Sequence, residues 1–279
     1  MASSLHSRLI RRFVRSNAAL AIPVTFLILL VTTLALISVT YCFAVENLDT
    51  QSEALKVSTA QQSFLSLDNV ILSTSGQPGS SATFDLSDSG GLTNIQPTNN
   101  TLTINVNDDY SIDETIFNAS VGQVNYELPC SGSVETGLYL EGDSQTITNQ
   151  SGSSPSQLYI TNGTQGPEIQ LQYRPTVTYA AAGLENGQEV TNIRIYIINL
   201  NSSDPIALQG ELPLQIFCTS TQLTSETYQV SNQPEKVVIT SQLNGANGSV
   251  SIPISSTHEG SVINIETVIS NVSIQRWIT

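Results

Sequence analysis

Residues 18–45 read AALAIPVTFLILLVTTLALISVTYCFAV, and residues 46–72 continue ENLDTQSEALKVSTAQQSFLSLDNVIL. The first stretch carries no charge and exceeds the roughly 20 apolar residues with which a helix crosses a bilayer. The second contains neither Gly nor Pro, and its Leu48, Leu55, Phe64, Leu67 and Ile71, with Val45 just before it, read as one narrow apolar stripe on a helix. Together they predict one nearly continuous helix over 18–72, about 80 Å long at 1.5 Å per residue. Pro23 falls in the first turns of the apolar stretch, where a missing N–H disrupts least. STSGQPGSS at 73–81 supplies the Gly, Pro and Ser that end a helix and start a linker.

Charge orients this helix. Arg8, Arg11, Arg12 and Arg15 precede it, and all 23 acidic residues follow it, beginning at Glu46. A basic flank stays in the cytoplasm. The expected order is therefore a cytoplasmic tail over 1–17, a single transmembrane helix over 18–45, its extracellular continuation over 46–72, a linker over 73–81 and an extracellular β-rich domain over 82–279. A removable signal peptide has an apolar region of only about 7–15 residues before a small-x-small site. Cys42-Phe43-Ala44 offers such a site, but the run before it is too long, which favours a retained anchor. Beyond the membrane only Lys56, Arg174, Arg194, Lys236 and Arg276 oppose the acids, for a net charge of −18. That excludes nucleic acid, whose binders neutralise phosphates with Lys and Arg. It suits solubility at a cell surface, leaving membrane lipid as the partner of the helix alone.

After the linker the period changes from helical to two. Leu102, Ile104 and Val106 alternate with polar residues, as do Ile169, Leu171 and Tyr173, then Ile193, Ile195 and Ile197, then Val250, Ile252 and Ile254. Such alternation predicts half-buried antiparallel strands with one wet face. SDSGG, NGTQG, ENGQ and NGANG punctuate them as turns. The expected class is α+β: a long N-terminal helix, transmembrane then amphipathic, followed by an antiparallel β-sandwich-like head. A division of the head into two subdomains would fall near 183–190.

The catalytic inventory is thin. His258 is the sole histidine beyond the membrane, in the turn SSTHEG, and no GxSxG, HExxH or CxxC pattern occurs. The densest acids lie in NVNDDYSIDET (105–115), where Asn107, Asp109 and Asp113 are oxygen donors for a Ca²⁺ ion. Tyr110 replaces the Gly of an EF-hand loop and no Glu stands at its twelfth position, so an acidic solvated loop is the plainer reading. Cys130 and Cys218 share the parity of core residues in VNYELPC and ELPLQIFC. They read equally as a disulfide, reasonable outside the cytosol, or as two buried thiols. Asn-x-Ser/Thr acceptors stand at Asn99, Asn118, Asn149, Asn162, Asn201, Asn247 and Asn271, the last within a strand-like run and the least suited to a glycan.

The basic residues Arg11, Arg12 and Arg15, the apolar run from Ala18, the amphipathic continuation to Leu72 and the β-rich remainder together resemble a type IV pilin, most closely the pilin-like surface proteins of archaea. The resemblance covers about the first 70 residues. It implies that a prepilin peptidase cuts between tail and helix, here near Ser16, Asn17, Ala18 and Ala19, and that the helix then sits in the membrane or in a filament of like subunits. The chain departs from the pattern in offering SNAAL at the cut and no acid within the apolar run. The functional expectation is a non-enzymatic, membrane-anchored surface protein, a pilin-like subunit or an adhesin or scaffold. A ligand-binding ectodomain for sugars or metal ions is the alternative. An extracellular glycoside hydrolase, which needs two facing carboxylates, is the third.

Overall fold

The computed structural model describes residues 3–277 apart from 109, 130–133, 153, 164–165 and 232–234, with side chains described from residue 23 onward. Helix α1 (Ser3–Ser75) is followed by β1 (Ser81–Leu86), β2 (Leu92–Asn107), β3 (Asp113–Glu127), β4 (Tyr139–Glu141), β5 (Thr148–Asn149), β6 (Ser156–Asn162) and β7 (Pro167–Tyr173). The remaining strands are β8 (Thr176–Glu185), β9 (Gln188–Asn199), β10 (Ile206–Gln209), β11 (Leu212–Val230), β12 (Lys236–Leu243), β13 (Ala246–Pro253) and β14 (Ser261–Arg276). The chain is thus α+β, one long N-terminal helix and a mostly antiparallel β domain. It divides into two compact units, Met1–Ala54 and Leu55–Thr279.

The second unit begins with the last turns of α1. Phe64, Leu67 and Ile71 are fully buried, joined by Ala60 and, in part, Val57. These five recur at steps of three and four, one face of a helix. Leu55, by contrast, is 68 % exposed, as is most of Leu48. The single stripe expected from sequence therefore breaks, and geometry explains the break. Nine residues separate Leu55 from Phe64, about two and a half turns, which puts them on opposite sides of the helix. The helix ends where the Ser80 hydroxyl donates to the carbonyls of Thr74 (2.5 Å) and Gln77 (2.7 Å), satisfying acceptors that the last turn leaves open.

Among the described residues fourteen strands make two sheets. One runs β1-β11-β14-β9-β8-β5 and the other β13-β12-β2-β3-β7-β6-β4, with β10 added beside β2. The helix face packs into a cluster with Val124, Tyr126, Leu158, Ile160, Ile169 and Leu171 from the eight-stranded sheet and Leu214, Ile216, Val272 and Ile274 from the six-stranded one. A second cluster joins Leu102, Ile104, Val106, Ile239 and Ile252 to Ile193, Ile195, Ile197, Ile263 and Ile265. Asn186-Gly187 and Asn244-Gly245 turn the β8–β9 and β12–β13 hairpins, with φ of 49° and 87°, then 52° and 82°. Paired positive φ suits Asn-Gly, because the two-residue turn then follows the twist of the strands. Residues 183–190, where any division of the head into two subdomains would fall, are the tip of the first of these hairpins.

Two expectations change. β9 and β14 are parallel neighbours from Glu189↔Ser261 to Asn199↔Asn271, and β5 lies parallel to β8. Parallel pairing needs a long crossover, which the chain between residues 199 and 261 supplies while it builds β11, β12 and β13. The polar face of β7 is not wet either: Gln170 and Gln172 are 9 % and 7 % exposed. Their amides join a chain. Gln123 donates to Gln96 (2.8 Å), Gln170 to Gln123 (2.7 Å), and Asn100 to Gln172 (2.8 Å). Gln172 in turn donates to Gln157 (2.9 Å), whose own amide reaches the carbonyls of Asp143 and Gln145. Buried amides are tolerated because each finds a partner. Arg174, 1 % exposed, is held the same way, by Asp143 and by the carbonyls of Ser154 and Gln145.

Candidate functional site

Among the described residues, one helix is long and apolar enough to cross a membrane. From Pro23 through Ala54 the side chains of α1 are exposed apart from the partly buried Glu53, with Phe26, Leu27, Ile28, Leu29, Leu36, Ile37 and Phe43 among the most open. The Ser and Thr hydroxyls between Thr32 and Thr40 are turned onto the helix itself. Thr33 donates to the Leu29 carbonyl (2.9 Å), Ser38 to Leu34 (2.9 Å) and Thr40 to Leu36 (2.8 Å). Lipid offers no hydrogen-bond partner, so a hydroxyl satisfied one turn back is what a spanning helix requires. Ser16, Asn17, Ala18 and Ala19, the expected processing residues, lie within the helical backbone of α1, and so does the basic stretch before them.

Asp68 is the polar exception on the docked face. Buried among apolar neighbours, its Oδ1 accepts the hydroxyls of Ser156 (2.6 Å) and Tyr173 (2.8 Å). Burial pushes its pKa above the ordinary carboxylate value; the two hydroxyl donors pull it back in part. Tyr173 is raised far above the usual phenol value by the same burial and by Asp68. This group fastens the helix to β6 and β7.

The acidic loop closes on itself. Asp108 Oδ1 accepts the N–H groups of Tyr110 (2.9 Å), Ser111 (2.7 Å) and Ile112 (2.7 Å), and Oδ2 accepts the Ser111 hydroxyl (3.0 Å). Burial pushes the Asp108 carboxyl up, but those donors outweigh it and hold the pKa below the ordinary value. Asn107 and Asp113, two of the three Ca²⁺ candidates, face each other as the pair that opens the β2–β3 hairpin. The third, Asp109, lies outside the described residues. Among the described residues no group of three or more His, Cys, Asp or Glu side chains is gathered as for a metal.

Cys218 is a buried free thiol on β11, and Cys130, its candidate disulfide partner, lies outside the described residues. His258 is exposed at the Thr257–Gly260 turn. Asn99, Asn118, Asn162, Asn201 and Asn247 are exposed; Asn149 is half-buried with its Oδ1 engaged by Ser151. Asn271, the acceptor least favoured by its strand-like setting, is also half-buried, and its amide donates to the Ser220 hydroxyl (3.0 Å).

One surface was not foreseen from sequence. On the solvent side of the six-stranded sheet, cross-strand pairing aligns Ser225, Glu266, Arg194 and Thr178 in one row. The next row is Thr227, Asn264, Asn192 and Ala180. Thr227 donates to Asn264 Oδ1 and Asn264 Nδ2 donates to Asn192 Oδ1, each at 2.9 Å. Arg194 grips Glu266 and reaches the Tyr196 hydroxyl (3.3 Å). These rows floor an open depression of about 510 Å³, bordered by Gln150, whose Oε1 accepts the Tyr179 N–H. The individual residues are visible in the alternation of β9 and β14, but their alignment depends on a register between strands some 70 residues apart.

No family model matches the chain, and neither a curated protein nor a solved structure matches it.

Proposed function

We propose that the chain is a non-catalytic surface protein, anchored in the membrane by residues 18–45 with its N-terminus in the cytoplasm and its β domain outside, and that it serves as a pilin-like subunit. The observation that carries this reading is the divided use of α1. Residues 57–71 spend their apolar face on the core of the β domain, while the uncharged stretch that ends at Val45 keeps its side chains exposed from Pro23 on and turns hydroxyls such as those of Thr33, Ser38 and Thr40 onto its own backbone. A helix needed only to stabilise the β domain has no use for the second stretch; a lipid or a neighbouring helix supplies one. The positive-inside bias of Arg8, Arg11, Arg12 and Arg15 supports the orientation. The β domain is read as a sandwich, on the ground that both core clusters draw side chains from both sheets. Glycans on the exposed acceptors, Asn99, Asn118, Asn201 and Asn247 among them, fit a surface location.

The mass of the N-terminus, measured on native protein from a washed membrane fraction and from sheared surface material, tests this. A start at Ala18 or Ala19 with protein in the sheared fraction supports a processed, assembling subunit. An intact tail confined to the membrane fraction supports a permanent anchor and sinks the filament reading. A start near Val45 in the medium overturns both.

A further inference from the structure

We propose that the depression on the solvent side of the six-stranded sheet binds a neutral saccharide. Its volume, about 510 Å³, lies within the roughly 300–1,000 Å³ of small-molecule sites. Its polar groups are held before any ligand arrives. Thr227, Asn264 and Asn192 form a relay whose hydrogen bonds all run one way and end on the Asn192 amide, opposite the small Ala180. Donors at the end of such a chain are polarised by the bonds behind them. Arg194 is fixed by Glu266 and Tyr196. Side chains already tethered lose little freedom on binding, which lowers the cost of association.

The chemistry narrows the ligand. A sugar hydroxyl donates one hydrogen bond and accepts others, and adjacent hydroxyls match groups that present donor and acceptor side by side. Asn192, Asn264, Glu266 and Arg194 are such groups, set in neighbouring rows. The guanidinium is neutralised by its carboxylate partner, so the depression has no net charge, and the surrounding acidic domain repels anions. Phosphates and acidic sugars are therefore disfavoured against neutral ones. The next row along the sheet carries the half-exposed Tyr196 ring, then Val268, then the exposed Leu223, an apolar strip for the C–H face of a pyranose.

Saturation-transfer NMR on the full-length chain in detergent micelles tests this, with D-glucose, D-galactose, D-mannose and N-acetyl-D-glucosamine as probes and D-glucuronate as the charged comparator. The expected result is transfer to at least one neutral sugar and none to glucuronate. Asn192→Ala and Glu266→Gln each weaken that binding about tenfold. Both positions face solvent, so the thermal midpoint stays put, and Gln242→Ala on the other sheet leaves binding unchanged. Silence from all four neutral sugars overturns the proposal. So does binding that survives both substitutions, or glucuronate binding as well as its neutral counterpart. None of these outcomes bears on membrane anchoring, which the N-terminal mass decides separately.

Discussion

Phe64 and Asp68 stand one helical turn apart on the same face of α1 and make opposite demands on the β domain. Phe64 is fully buried, with its ring 5.7 Å from that of Tyr126. Phe64→Ala removes the ring and leaves a cavity, so denaturant unfolding of the β domain should show a loss of about 3–5 kcal/mol. Asp68 is a carboxyl whose folded pKa is raised, so the folded state holds its proton more tightly than the unfolded chain does. Its favourable contribution is complete below the ordinary carboxylate pKa and disappears as pH rises through the folded value. Asp68→Asn keeps an oxygen for the Ser156 and Tyr173 hydroxyls and removes the charge. Thermal midpoints taken from pH 4 to 7 should show the variant gaining on the parent as pH rises; parallel curves would contradict the assignment. Asp108 works in the other direction, being depressed. It stabilises above the ordinary carboxylate value and loses that effect as acid protonates it.

At the scale of elements, α1 serves two units, and cutting it at two places separates them. Removing residues 1–54 spares Val57, Ala60, Phe64, Leu67 and Ile71, and should give a water-soluble domain that unfolds cooperatively. Removing residues 1–72 empties that side of the core and should give an aggregating product, since each buried Phe, Leu or Ile side chain contributes roughly 1.5–3 kcal/mol. Size-exclusion chromatography and circular dichroism distinguish the two. The docked face was half legible in sequence. Phe64, Leu67 and Ile71 announce themselves, whereas Ala60 is too small to count as apolar signal and Leu55 misleads unless the half-turn to Phe64 is followed. The same limit applies to the strands. Alternation in β9 told which residues share a face, and Ile193, Ile195 and Ile197 are indeed inside. It could not tell that the other face of β7 is covered, because parity distinguishes two sides without saying what lies against either. The saccharide site was harder still, since Arg194 and Glu266 become neighbours only through the parallel pairing of β9 with β14.

Across the whole molecule the dominant quantity is charge. A formal net charge of −18 from residue 46 onward, five bases against 23 acids, sets the folded domain against itself. Raising NaCl from about 0.1 to 1 M shortens the Debye length from about 10 to 3 Å. The thermal midpoint of the β domain should rise over that range, and a fall would mean that specific ion pairs such as Arg194–Glu266 outweigh the general repulsion. The placement of β14 bears on a different matter, the order of events in biogenesis. Although it is the last of the described strands, it lies inside the six-stranded sheet, between β11 and β9. A polypeptide synthesised N-terminus first therefore carries β9 and β11 without the strand that joins them until residues 261–276 have emerged. On the proposed extracellular placement, export of this domain is a threading of open chain, and any nascent product that stops short of Ser261 reaches the far side with its sheet in two pieces, ready for a protease.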